Sequence, residues 1–127
     1  MIYVDTSVAM AQLFAEDRRA PERIWAGEVV SSRLLEYEVW TRVNGRRAGG
    51  THGETVRALL GRILLVELAP VVLARVLQPF PVPVRTLDAI HLATALYLTE
   101  ARARVELATF DGRMCEAARA LRIPLAF

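Results

Sequence analysis

Apolar residues recur along this chain with two alternating periods, which predicts short strands followed by helices throughout. Ile2-Tyr3-Val4-Asp5 is a β-prone run ending in an acid, and Thr6 and Ser7 offer caps to a helix over 8–15. A polar turn over 16–19 leads to Pro21, which opens a short helix reaching Trp25, and Gly27 breaks it. A second strand is predicted over 28–31, and Ser32 caps a long helix over 33–47. Residues 48–51 read as a loop, 53–64 as an amphipathic helix, 66–68 as a third strand and 71–77 as a further helix. Pro79, Pro81 and Pro83 force an extended connector, because each proline removes a donor and restricts its predecessor. The most apolar helix follows over 86–98, with Thr86 as its expected cap and Asp88 in its first turn. A strand over 105–109, a helix over 112–121 and a closing strand over 124–127 complete the chain. Strands that alternate with helices predict an α/β fold: one domain over 1–127, its parallel sheet covered on both faces.

Composition narrows the chemistry. With 127 residues, 54% of them hydrophobic and 24% charged, the chain can bury one core and is not of disordered type. The longest apolar stretch, 63–73, is interrupted by Glu67 and Pro70 and is too short to span a membrane. No basic segment precedes Ile2, and Cys115 is the single cysteine; the expectation is a cytoplasmic protein without disulfides. The net charge is only +2, but all 16 basic residues are arginine. The absence of lysine excludes a P-loop, a Schiff-base lysine and a Ser-Lys nucleophile pair. Arginine offers instead a planar fork suited to phosphate.

The acids carry the sharpest signal. Asp5 and Asp111 stand at the carboxyl ends of predicted strands, and Asp88 starts a helix. Each alone reads as a cap or turn residue. Together in one α/β domain they should converge on the crevice beyond the strand ends. Carboxylates so gathered repel one another and need a cation to stay ionised. Oxygen donors without a Cys or His cluster select a hard ion, Mg²⁺ or Mn²⁺, and such an ion performs hydrolytic phosphoryl chemistry. Glu36 and Glu38 are about equally well placed on their helix, and Arg42, four residues on, is a ready partner for Glu38.

Four segments stand in order along the chain: Ile2-Tyr3-Val4-Asp5-Thr6-Ser7, Tyr37-Glu38-Val39, Arg85-Thr86-Leu87-Asp88-Ala89-Ile90-His91-Leu92-Ala93-Thr94-Ala95 and Thr109-Phe110-Asp111. In these the chain resembles PIN-domain ribonucleases, and most closely the VapC toxins of VapBC toxin–antitoxin systems. The resemblance implies a three-layer α/β/α sandwich around a parallel sheet of four or five strands. It implies a Mg²⁺- or Mn²⁺-dependent endoribonuclease whose metal is held by Asp5, Glu38 and Asp88, with Asp111 completing the pocket directly or through water. It decides for Glu38 over Glu36. The implied products carry 5′-phosphate and 3′-hydroxyl ends. The implied partners are an RNA substrate, a VapB-like antitoxin covering the pocket, and a second copy of the chain in a homodimer or toxin–antitoxin hetero-oligomer.

Other residues carry two readings each. Thr6, Ser7 and Thr109 suit hydrogen bonds to the carboxylates, while Thr6 and Ser7 equally suit capping. His91, one turn after Asp88, invites a general-base role against that of a satisfied core histidine. Arg85 could meet substrate phosphate, and Arg18, Arg19, Arg23, Arg46 and Arg47 could contact an RNA backbone or form a solvated face. Trp25, Trp40 and Phe80 could stack on bases or pack in the core. A haloacid-dehalogenase-type phosphatase would need an aspartate where Ser7 stands and a lysine; a receiver domain also needs a lysine. The remaining alternative is a catalytically silent PIN-like module that binds RNA or protein.

Overall fold

A computed structural model describes residues 1–127. Four parallel strands form one sheet in the order β3-β2-β1-β4: β1 (Ile2–Val4), β2 (Val29–Ser32), β3 (Ile63–Val66) and β4 (Glu106–Ala108). The helices are α1 (Thr6–Leu13), α2 (Arg23–Ala26), α3 (Leu34–Gly45), α4 (Gly49–Leu60), α5 (Pro70–Leu73), α6 (Thr86–Glu100) and α7 (Gly112–Ala120). The period of two sorts the strand residues to opposite faces. Val4, Val29, Ile63 and Ala108 join one core with α1 to α4, whereas Tyr3, Val30 and Leu107 join another with α6 and α7. Both faces are therefore covered, giving the expected three-layer α/β/α sandwich. No helix is long and apolar enough to cross a membrane.

The predicted boundaries needed correction in four places. The apolar run through Leu64 belongs to a strand, not to the preceding helix: Gly61 ends α4, and Ile63–Val66 pairs with Val29–Ser32. Gly49 and Gly50, assigned to a loop by their flexibility, form the first turn of α4. The closing strand shrinks to one bridge, Leu107 to Leu125, because Pro124 has no N–H and the Ala126 carbonyl accepts from Arg23 instead. Residues 71–77 divide into α5 and a 3₁₀ turn over Ala74–Leu77.

Helix ends also departed from expectation. Thr86 does not cap α6; the extended segment after the prolines carries through Arg85, whose carbonyl accepts from the Ala89 N–H at 2.8 Å. After helices α1, α3, α6 and α7 the chain turns at positive φ on a residue other than glycine: Ala15, Arg47, Arg102 and Arg122. Each stop is closed by a backbone bond six residues back to front, such as Ala103 N–H to the Leu98 carbonyl at 3.1 Å.

What positions the site is the sheet order. The chain leaves β1 toward β2 on one side, while β4 lies on the other, so β1 and β4 flank the switch point. Beyond the carboxyl ends of such strands lies the crevice in which this class of sheet binds its ligands. Asp5 follows β1 directly, and Thr109 to Asp111 follow β4.

Candidate active site

Asp5 is buried, with 5% of its surface exposed, and both carboxylate oxygens are engaged. Oδ1 accepts from the Ser7 hydroxyl at 2.6 Å and the Val8 N–H at 3.2 Å, while Oδ2 accepts from the Thr109 hydroxyl. Asp5 is thus the N-cap of α1, the ordinary reading of a strand-end acid, and Thr6 and Ser7, also read as caps, are not. Ser7 and Thr109 in turn accept the N–H groups of Phe110 and Asp111, at 2.9 and 3.0 Å. These relays fasten the β4–α7 loop to the end of β1. Burial raises the Asp5 carboxyl above its ordinary pKa despite the Ser7, Thr109 and Val8 donors that oppose the shift.

Glu38 reaches the same region from α3. Its Oε1 accepts from the Thr6 hydroxyl at 2.8 Å and lies 2.6 Å from His91 Nε2. Arg42, the partner read from sequence, stands 4.0 Å from Oε2. Burial raises the Glu38 carboxyl, but the His91 hydrogen bond and charge, the Thr6 bond and Arg42 outweigh it and hold the pKa below its ordinary value. Glu36, two residues away, faces elsewhere and pairs with Arg33 at 2.8 Å. His91 is buried, with its Nδ1 2.7 Å from the Tyr3 hydroxyl, so the reading as a satisfied core histidine describes it. Its second nitrogen nevertheless touches a candidate ligand.

Asp88 and Asp111 occupy a more open setting. Together with Arg85, Gly112, Arg113 and Glu116 they line a cleft of about 350 Å³. Asp111 caps α7, its Oδ1 accepting from the N–H groups of Arg113 at 2.8 Å and Met114 at 3.2 Å. Asp88 accepts no hydrogen bond and forms no ion pair. Burial raises its carboxyl first; the like charge of Asp111 adds, His91 opposes, and Asp5 and Glu38 add again. The four predicted acids therefore share one electrostatic neighbourhood.

A family model for the PIN domain matches residues 2–120. The chain belongs to the PIN domain family. No curated protein matches it by sequence. Among solved structures, the PIN domain here resembles Mycobacterium tuberculosis VapC20, a sarcin-ricin loop cleaving toxin, with TM-score 0.69 and 23% identity over 92% of this chain and 95% of that one. It also resembles a chain of a toxin–antitoxin complex from Klebsiella pneumoniae, with TM-score 0.68 and 19% identity over 94% of each chain. At these identities the likeness concerns the fold.

Two tests bear on whether this PIN domain suits a metal. As the side chains stand, no three His, Cys, Asp or Glu groups gather around one point. The donor chemistry nonetheless fits a hard divalent cation. All four donors are carboxylates, Asp88 has no partner, and their mutual repulsion is what a cation relieves.

Of the other candidates, Arg85 enters the cleft wall, joined by Arg113, which the sequence reading passed over although it lies two residues from Asp111. Neither forms an ion pair with a carboxylate within 4.0 Å. Arg18, Arg19, Arg23, Arg46 and Arg47 are exposed, but Arg18 stacks over Phe110 and Arg46 over Phe14. Trp25 is buried, Trp40 packs on the core beneath Arg57, and Phe80 packs beneath Arg75, so none presents a free face for a base.

Proposed function

We propose that this PIN domain is a metal-dependent endoribonuclease of the VapC toxin kind, acting in the cytoplasm and held in check by a VapB-like antitoxin. What supports the proposal is Asp88, unpartnered and acted on by the like charges of Asp111, Asp5 and Glu38, with Asp5 and Asp111 standing beyond the β1 and β4 ends. On this reading, Asp5, Glu38 and Asp88 would hold Mg²⁺ or Mn²⁺, with Asp111 completing the set. When bound, such an ion lowers the pKa of a water and offsets charge developing on a phosphodiester.

The chain's own residues supply the rest. Ser7 and Thr109 fix the Asp5 carboxylate, and Thr6 and His91 fix Glu38, so these two groups need little reorganisation. Arg85 and Arg113, with no acid to neutralise them, are placed to hold the RNA phosphate beside Asp88. An antitoxin that presents an arginine to the carboxylates would satisfy the same charges and block the cleft. The second copy expected of a homodimer or hetero-oligomer has apolar surface available on α5 and the turn after it, where Val71 and Leu77 are exposed.

The test is cleavage of total RNA by the purified chain with Mg²⁺, Mn²⁺ or EDTA. Discrete fragments that require metal and fall by about a hundredfold or more in both Asp5→Asn and Asp88→Asn are expected. A folded wild type that binds RNA but cuts none under any metal would favour the silent binding module.

A further inference from the structure

From the geometry around His91, we infer that Tyr3 and His91 form a positioning pair, which turns Glu38 so that Oε1 is tied back to the core and Oε2 is left as the ligating oxygen. The inference rests on the metal reading above; it adds Tyr3, which that reading leaves without a role, and specifies which oxygen of Glu38 His91 holds.

The hydrogen bonds run in one direction. The Ser32 N–H donates to the Tyr3 hydroxyl oxygen at 3.1 Å. The Tyr3 hydroxyl lies 2.7 Å from His91 Nδ1, and His91 Nε2 lies 2.6 Å from Glu38 Oε1. An ionised carboxylate only accepts, so the proton at that contact belongs to Nε2. With Nε2 turned to Glu38, Nδ1 faces the Tyr3 hydroxyl, and that O–H is the donor in place to meet its lone pair. The nearby hydroxyls are committed elsewhere: Ser31 donates to the Val4 carbonyl at 2.7 Å and Thr94 to the Ile90 carbonyl at 2.8 Å.

At the far end, Glu38 Oε1 receives both the His91 and Thr6 donors, whereas Oε2 has only Arg42 at 4.0 Å. One oxygen is saturated and the other is not. Ligating carboxylates held by such outer partners keep their orientation, and losing the partner weakens metal binding. His91 sits on α6, the helix that also carries Asp88 in its first turn. The same helix therefore delivers one candidate ligand directly and orients another through its imidazole.

The experiment has two readouts besides cleavage. Nitrogen-15 chemical shifts of the His91 ring in the metal-free protein should report the Nε2–H tautomer, which moves to a mixture in Tyr3→Phe. Calorimetric titration with Mn²⁺ should show His91→Leu weakened by about 10- to 100-fold, with most of the loss recovered in His91→Gln. A glutamine amide can occupy the Nε2 position, and an asparagine amide the Nδ1 position, so His91→Asn should stay weak. The asparagine comparison stands in if His91→Leu fails to fold. A wild type that binds Mn²⁺ while Leu, Gln and Asn variants all bind alike would overturn the positioning pair alone. A folded wild type that binds neither Mn²⁺ nor Mg²⁺ would overturn the metal reading and the pair with it.

Discussion

Asp5 and Glu38 on one side, and Asp88 and Asp111 on the other, are the same chemical groups held in opposite ways. Asp5 and Glu38 are nearly sealed and have donors built around them from α1, β4 and α6. Asp88 and Asp111 open onto a cleft with two uncommitted arginines, and Asp88 has no donor at all. The difference separates two functions of a carboxylate. In the closed half the protein surrounds the charge with its own donors; in the open half it has left Asp88 for something that binds. On this account the fold supplies the rigid half of the centre, and ion and substrate complete the other.

The largest test of that contrast is the ion itself. Mn²⁺ at about a hundred times its Kd should stabilise the wild type by about 2.7 kcal/mol, read by urea unfolding, and should leave Asp88→Asn unmoved. Equal stabilisation of both would erase the distinction. Next, alanine should cost the two halves differently. Asp5→Ala removes a helix cap and leaves the Ser7 and Thr109 hydroxyls without their acceptor, so about 1–2 kcal/mol of stability should be lost. Asp88→Ala breaks no bond and should stay within about 0.5 kcal/mol of wild type.

The smallest effect is in the pH dependence without metal, and its sign differs between Asp88 and Glu38. The folded protein raises the Asp88 pKa above its ordinary 3.8, so ionisation costs stability. Wild type and Asp88→Asn should match below pH 3.8, and wild type should fall behind as pH rises through the folded pKa. The folded protein lowers Glu38 below its ordinary 4.5, so wild type should exceed Glu38→Gln above pH 4.5 and lose that advantage as pH falls through the folded pKa. Parallel curves for the two substitutions would contradict the contrast.

The sequence made the open half easier to find than the closed one. Asp88 and Asp111 lie at a helix start and a strand end, where local pattern is enough to place them. Asp5 was legible as a strand-end acid, with capping open to it and to its neighbours Thr6 and Ser7 alike. Glu38 could not be separated from Glu36 by periodicity. What distinguishes it is His91, 53 residues away, and no local pattern encodes that contact. Tyr3 read only as a strand residue, because its hydroxyl acquires a purpose only when α6 packs over β1 and β2. Boundaries failed where one apolar run suits either period, as at Ile63 to Val66, and where arginine or alanine ends a helix in the conformation usually left to glycine.

The most direct measurement is a crystal structure of the wild type soaked in Mn²⁺, with the ion located by its anomalous scattering. The account predicts a peak bonded to carboxylate oxygens from both halves, Asp88 together with Asp5 or Glu38 Oε2, at about the 2.0–2.1 Å of a Mg²⁺ site. An ion held by Asp88 and Asp111 alone, with Asp5 and Glu38 still turned toward Ser7, Thr109, Thr6 and His91, would contradict a shared centre.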